Sequence, residues 1–465
     1  MKNIIISIAQ DNTSEILYQN LDYETESKLF CIQNYEELLS RISKTKDINL
    51  VILSDAYLDT QQAVASLKKL NPRPKIQVYS DRIENVQSPD MEFFPQSDFE
   101  LEKLIKNALA TLDPEGLKNR TEIPDYVPFS IKYFYNINSF MSDIYIKLKK
   151  RGIEEFVKRI NANEEIDRET LEKYEVSGLE FLYIRKPYRF HFINQAVNES
   201  IGGLKKAHLS ELAQQLDEEE HPLQVKTILN AADDTYQLSA EMLLNMGITE
   251  NTIKITKASI ASMKKTLKNM DTITALLDRL LKEKLSYAYK RTHITTMFAV
   301  EVLKRIDWFS KEQLPQLIEQ LVYASFLHDI LLTDEKLLRI HSKLNLYQAD
   351  LSEQEKKLVL NHANMTSTLI QKYPKAPNHV DVIIKQHHGT SNGIGFSVNL
   401  NASLPKLVII LMVAERLVMK LLDFKKGEDR LEQVFNDLEE EFNLPTYKKV
   451  TDCLKESIIS AARSK

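Results

Sequence analysis

The chain has 465 residues, of which 43% are hydrophobic and 27% are charged, and its formal net charge is -5. This length suits about three domains, and a content of only 10 glycines and 14 prolines excludes long low-complexity tracts. The negative charge excludes the basic face that polymeric nucleic acid requires, so any nucleotide ligand must be small and bound at a local site.

The cysteines and the apolar segments predict a cytoplasmic protein without a membrane span. Cys31 and Cys453 are the only cysteines, and their spacing matches no disulfide framework or zinc site. The apolar start of the chain ends at Gln10, which is too early for a secretory signal. The apolar segment 407–414 is less than half of the ~20 residues that a membrane helix needs.

Residues 1–113 alternate short β-rich segments with amphipathic helical ones, which predicts a doubly wound parallel sheet. The predicted strands are 4–9, 29–33, 50–53, 76–79 and 92–94, and the predicted helices are 13–20, 35–43, 59–70 and 99–112. This order of elements resembles the receiver domains of bacterial two-component systems.

The chemistry of a receiver is only partly present in this domain. The resemblance implies an acidic pair after the first strand, a phosphate-accepting Asp after the third and a Lys after the fifth. Asp11 follows the first strand, Ser54 and Asp55 follow the third, and Gln96 stands at the position of the Lys. We therefore predict a degenerate receiver-like domain that contacts a protein partner, with phosphorylation of Asp55 as the alternative.

A proline-marked linker at 115–128 predicts the next domain boundary. Residues 125–195 then read as a small α+β domain, with strands at 131–135, 143–148 and 179–184 and a charged helical segment at 154–174. This domain resembles the accessory domains that precede certain bacterial signalling phosphodiesterases. Its aromatic residues either form a sheet core or line a sensing surface.

Residues 196–285 form a predicted helical connector. Within it, 260–281 places Ile, Leu and Met on one stripe, which predicts one long helix. The stripe either packs against the C-terminal domain or forms a coiled coil in a homodimer.

A series of histidines and carboxylates marks the C-terminal part of the chain, on segments that otherwise read as apolar helices. Seven of the ten histidines lie beyond position 290. Borderline metals bind imidazole and carboxylate ligands, so helices that each turn one or two such groups toward a shared point predict an all-α domain over 286–460 with a metal centre. The candidate ligands are His293, His328, Asp329, His362, His387, His388 and Glu415.

Glu415 provides the strongest physical argument for a cation in this domain. It interrupts an apolar helix, where an ionised carboxylate is costly unless it is paired. Its partner is either a metal ion or a buried basic residue, such as Arg416 or one more distant in the sequence.

The order of these ligands resembles the HD superfamily of metal phosphohydrolases, and within it the HD-GYP type, which hydrolyses the bacterial messenger cyclic di-GMP. Segments 287–293 and 326–330 resemble the first ligand region and the signature His-Asp pair of that family. The resemblance implies two divalent ions bridged by Asp329, with His328 and Asp329 as catalytic residues. The ions would be Fe or Mn, with Zn, Co or Ni as alternatives. The implied reaction is bimetallic hydrolysis of a phosphodiester.

The substrate-facing positions depart from the family pattern. Leu332 replaces the lysine near the reacting phosphate, and Gly395-Phe396-Ser397 replaces Gly-Tyr-Pro. Tyr289 replaces the Glu that binds a third ion in some members, and Glu415 replaces an Asp. Loss of one such cation raises a reaction barrier by about 2.7 to 4 kcal/mol, so we expect slow turnover. The sequence thus predicts a phosphodiesterase acting on cyclic di-GMP or a related nucleotide, or a protein of the same type that binds metal, nucleotide or a partner without turnover.

Overall fold

The structure is a computed structural model of the chain, and it divides into two compact units, Met1–Ala196 and Val197–Lys465. The predicted domains 1–113 and 125–195 fall in the first unit, and 196–285 and 286–460 fall in the second. The structure describes residues 2–8, 11–25, 27–32, 34–54, 65–70, 72–80, 91–113, 124–150, 153–213, 221–269, 273–423 and 431–463.

The first unit begins with a five-stranded parallel sheet in the order β2-β1-β3-β4-β5. Its elements are β1 (Lys2–Ser7), α1 (Asp11–Glu24), β2 (Ser27–Cys31), α2 (Tyr35–Lys44), β3 (Ile48–Ser54), β4 (Lys75–Tyr79), β5 (Met91–Phe94) and α3 (Asp98–Leu112). Ile4 and Ile6 pack on the side of α1 and α3, whereas Ile5 packs on the side of α2. Strands covered on both faces are apolar throughout, and the predicted doubly wound sheet is confirmed.

The receiver-like chemistry of this sheet stays a prediction. Asp55 and the first half of the predicted helix 59–70 lie outside the described residues. Ser54 is buried at the end of β3. At the Lys position, Gln96 directly precedes Ser97, whose side chain caps α3 by accepting a hydrogen bond from the Glu100 backbone N–H.

A four-stranded antiparallel sheet in the order β6-β9-β7-β8 follows within the first unit. Its elements are β6 (Tyr126–Ser130), β7 (Ile144–Lys150), β8 (Ile153–Ile160), α4 (Arg168–Val176) and β9 (Phe181–Arg185). Two predictions are wrong. Residues Ile131–Phe134 form a 3-10 helix instead of a strand, because the Ser130 side chain caps its first turn. The charged segment after 153 first forms β8, an edge strand that tolerates exposed charges.

Aromatic residues form part of the core of this α+β region. Phe192 packs against Phe129 and Phe134 at ring-centroid distances of 4.8 and 4.6 Å, and all three are buried. For these three residues the structure favours the sheet core over the sensing surface.

The second unit is helical in its described residues, and the first of its helices begins before the boundary. The helices are α5 (Arg189–Ala213), α6 (His221–Met246), α7 (Glu250–Asn269), α8 (Ile273–Lys282), α9 (Tyr287–Arg305), α10 (Leu314–Leu327), α11 (Glu335–Leu338), α12 (Lys343–Gln348), α13 (Glu353–Gln371), α14 (Val380–Gln386), α15 (Lys406–Leu422), α16 (Leu431–Glu441) and α17 (Pro445–Arg463).

The predicted helix over 260–281 includes residues 270–272, which lie outside the described residues, and the chain is helical on both sides of them, in α7 and α8. Ile260 and Met263 of α7 and Leu276 and Leu280 of α8 belong to the same buried core as the C-terminal helices, whereas Leu281 is 44% exposed. These contacts favour core packing for the apolar stripe, and a homodimer stays a prediction.

Helices α9, α10, α13, α14 and α15 carry the candidate ligands around this core. The apolar segment 407–414 is the first half of α15, and its side chains other than Met412 are buried because other helices surround it. At the start of α13, Ser352 and Glu355 form a capping box that fixes where the helix begins. No helix in the described ranges has the length and apolarity required to cross a membrane.

Candidate metal centre

The structure brings six of the seven predicted ligands together in the interior of the second unit. His328 ends α10 and Asp329 follows it, His362 lies within α13, His387 and His388 follow α14, and Glu415 lies within α15. Their ligand atoms form two groups that share Asp329, each compact enough to surround one ion. Every member except the half-buried His388 is buried.

The first group consists of Asp329, His362, His387 and His388. The Nε2 atoms of His362 and His387 lie 3.0 and 3.3 Å from Oδ1 of Asp329, and 3.3 Å from each other. Nε2 of His388 lies 3.1 Å from Nε2 of His362. Three imidazole nitrogens and one carboxylate oxygen therefore converge on a single small space.

Backbone carbonyls fix the tautomers of two of these rings. Nδ1 of His362 lies 2.6 Å from the Val359 carbonyl, and Nδ1 of His387 lies 2.6 Å from the Ile384 carbonyl. A carbonyl can only accept a hydrogen bond, so each Nδ1 carries the proton and each Nε2 turns a lone pair toward the centre. Oδ1 of Asp329 is buried and accepts no hydrogen bond. Such a group of converging lone pairs could hold a cation.

Burial keeps these imidazoles neutral, which is the form that binds metal. Desolvation lowers the pKa of His362 to about 3 and holds the pKa of His388 well below its usual value. The pKa of His387 and the pKa of His328 are also lowered, again mainly by desolvation. These atoms therefore bind a proton weakly, and a metal ion fits the donor set.

The loop after the double histidine orients the ring of His388. The Phe396 ring packs edge-on against it at 4.6 Å between centroids, and the Ser397 N–H donates to the His388 carbonyl at 3.0 Å. Gly389 has a φ of +78°, and a Cβ there would lie 2.9 Å from Cβ of Ser397. Glycine is thus required for the loop to fold back on its own ligand. Phe396, at the family's Tyr position, supports a ligand ring.

The second group, His328, Asp329 and Glu415, surrounds Arg291, which is not among the predicted site residues. Nη2 of Arg291 lies 2.6 Å from Oε1 of Glu415 and 3.5 Å from Nε2 of His328, and it contacts Oδ2 of Asp329 directly. The buried partner of Glu415 is therefore a distant basic residue, Arg291. It is not Arg416, which pairs with Glu441 at 3.0 Å.

Arg291 and His293 lie on opposite sides of α9, because two residues turn a helix by about 200°. Lys290 is adjacent to Arg291 in the sequence, so the sequence alone does not single out the arginine, whereas its burial in the structure does. A role of His293 as a metal ligand stays a prediction.

His293 belongs to neither group of ligand atoms. It is fully buried, its Nδ1 lies 3.0 Å from the Tyr289 hydroxyl, and its Nε2 has no hydrogen-bond partner. Desolvation lowers its pKa to about 3. The arrangement in the structure is that of a neutral core histidine paired with Tyr289, the residue at the family's third-metal position.

A cavity of about 170 Å³ reaches the centre from the side of His387, His388 and Glu415, and Phe396 and Arg416 also line it. Leu332 does not line this cavity. Its side chain is buried in a separate apolar cluster with Leu337 and Leu338 among others.

Comparisons with known proteins return little. The chain resembles one solved structure, "Bd1817, a HDG"Y"P protein from Bdellovibrio bacteriovorus", at 16% identity and a TM-score of 0.42, over 71% of this chain and 100% of the other. No protein-family profile matches the sequence. No curated protein matches it either. A likeness this low supports no conclusion about the site.

The charge of the centre is set by three groups. The carboxylates of Asp329 and Glu415 contribute two negative charges, and Arg291 offsets one of them. The guanidinium of Arg291 holds the pKa of Glu415 well below its usual value against the opposing effect of burial. A buried net negative charge remains, which a divalent ion would reverse.

Proposed function

We propose that the second compact unit binds a divalent metal ion on Asp329, His362, His387 and His388 and hydrolyses a phosphate ester there. The convergence of three imidazole nitrogens on the unpartnered Oδ1 of Asp329 is the observation that carries this proposal. One carboxylate and three imidazoles suit Zn, Fe, Mn, Co or Ni better than Mg or Ca.

The protein's own groups prepare this centre. A dication bound there would lower the pKa of a coordinated water and neutralise charge on the phosphate. The Val359 and Ile384 carbonyls hold the rings of His362 and His387 in one tautomer, so that neither ring must rotate or lose a proton before binding. Asp329 turns one oxygen toward the imidazoles and the other toward Arg291.

The cavity gives the ester its route to the centre. It is lined by His387 and His388, so a phosphate that enters it meets the ligand side of the site. The resemblance of the sequence to the HD-GYP type makes a nucleotide phosphodiester, cyclic di-GMP first, the substrate class to test.

A second function, binding of metal and nucleotide without turnover, is favoured by one observation. Arg416 is the one Lys or Arg among the described residues that line the cavity, and its charge is already paired with Glu441. Leu332 supplies no cation because its side chain is apolar and buried elsewhere. A bound phosphate would then meet little positive charge beyond the ion itself.

The test uses the full chain, stripped of metal and reloaded with Mn²⁺. We expect slow hydrolysis of cyclic di-GMP that is lost, together with Mn²⁺ binding, in His362→Ala. The exposed His379 gives a matched control. Its backbone has a φ of +67°, so His379→Asn is the suitable change, since Asn tolerates that conformation.

Three outcomes separate the two functions. Turnover that His362→Ala abolishes and His379→Asn preserves supports the hydrolase. Metal-dependent binding of the nucleotide without product supports the binding protein. Mn²⁺ binding that is equal in the wild type and in His362→Ala would contradict both.

A further inference from the structure

We propose that the guanidinium of Arg291 is a built-in second cation, so that the centre holds one divalent ion where the HD-GYP resemblance implies two. This inference rests on the metal site proposed above. It adds that the neighbouring group of His328, Asp329 and Glu415 binds an arginine instead of an ion.

Arg291 already contacts all three acceptors of that group. Its Nη2 contacts Oδ2 of Asp329, lies 2.6 Å from Oε1 of Glu415 and lies 3.5 Å from Nε2 of His328. Nδ1 of His328 faces the Ser325 carbonyl at 2.7 Å, so the lone pair on Nε2 turns toward the guanidinium. These are the atoms that would bind the second ion.

A metal ion and this guanidinium cannot share the group. An ion ligated by imidazole and carboxylate lies about 2.0 to 2.2 Å from each donor atom. That position lies against the Nη2 atom of Arg291, and both species are cations. Binding of a second ion would therefore require the arginine to leave.

The structure holds Arg291 in place. Its side chain is 3% exposed, and Nη1 donates to the Leu338 carbonyl at 2.5 Å. Moving the guanidinium away would leave its own charge without a partner in the interior, which proteins tolerate poorly. Asp329 thus bridges two cations of different kinds, an ion at Oδ1 and a guanidinium at Oδ2.

The charge of the loaded centre follows from this arrangement. The ion and Arg291 together outweigh Asp329 and Glu415 by one positive charge, because the histidines are neutral. A monoanionic phosphodiester would neutralise that charge. Two ions beside Arg291 would leave three positive charges in the same buried space.

The test counts ions on the full chain. We expect Mn²⁺ titration to saturate at one ion per chain, with the paramagnetic resonance spectrum of an isolated ion. Arg291→Gln removes the cation and keeps the acceptors, so it should bind two ions that show the exchange coupling of a pair. Arg291→His offers a ligand at the same position and should also bind two. Arg291→Lys keeps the charge and should remain at one.

The outcomes distinguish this inference from the function on which it rests. Two coupled ions in the wild type would overturn it, as would a folded Arg291→Gln or Arg291→His that binds only one. A wild-type chain that binds no ion would instead overturn the proposed function. If Arg291→Gln fails to fold by circular dichroism, Arg291→His and the wild-type count decide the result.

Discussion

Asp233 is a buried carboxylate whose titration should be visible in the stability of the second unit. It lies on α6, and its two oxygens accept hydrogen bonds from the Ser286 backbone N–H at 2.7 Å and from the Ser286 hydroxyl at 2.5 Å. Ser286 is the N-cap of α9, the helix that carries Arg291. Gln237 donates a third hydrogen bond to it at 2.9 Å. Asp233 thus ties the start of α9 to α6.

Burial raises the pKa of Asp233 from 3.8 to about 6, against the opposing effect of its hydrogen bonds with Ser286. A carboxyl whose folded-state pKa is raised contributes stability that is fully present below pH 3.8 and is lost as the pH rises through about 6. At 1.36 kcal/mol per pKa unit, the full effect is about 3 kcal/mol, and about half of it falls between pH 5 and 7.

Asp233→Asn isolates this contribution, since all other titrating groups are common to both proteins. The free energy of unfolding is measured by urea titration at several pH values between 4.5 and 7.5. Trp308, the single tryptophan, packs against the core of the second unit, and its fluorescence is the signal. We expect the wild type to gain stability relative to the variant as the pH falls. A constant difference across this range, or one that grows with pH, would refute the argument.

Three further predictions concern the surroundings of the metal site. Phe396→Ala removes the ring that supports His388 and should weaken metal binding about 10- to 100-fold; Phe396→Tyr should restore it, and equal Mn²⁺ affinity in all three proteins would contradict this role. Gly389→Ala places a Cβ against the side chain of Ser397 at an unfavourable φ, so it should lower the free energy of unfolding by about 1 to 3 kcal/mol. Thermal denaturation measures this loss, and an unchanged melting temperature would contradict it. Leu332→Lys buries a charge in an apolar cluster, so it should lower the free energy of unfolding by on the order of 3 kcal/mol in urea titration, without raising turnover. A variant that is stable and turns over faster would show that this position faces the substrate.

The spacing of polar residues in apolar segments was sufficient to predict much of the site. Each of His328, Asp329, His362, His387 and Glu415 interrupts or ends a helix that is otherwise apolar, and such groups are buried only where something binds them. For the same reason the alternation of apolar strands with amphipathic helices was sufficient to predict the first sheet. Both inferences depend on patterns that burial imposes directly on the sequence.

What failed depended on local geometry that the pattern does not encode. The choice between His293 and Arg291 is a choice of helix face, which only the packing of α9 against its neighbours decides. Leu332 was compared with a lysine by its position in the sequence, whereas in the structure it completes an apolar cluster.

The most direct test of the central claim is an anomalous diffraction map from crystals of the full chain soaked with Mn²⁺. We expect one peak in the second unit, about 2.0 to 2.2 Å from Oδ1 of Asp329 and from Nε2 of His362, His387 and His388. No peak beside Arg291 is expected. An empty position among these four ligands, or a peak ligated by His293, would contradict it.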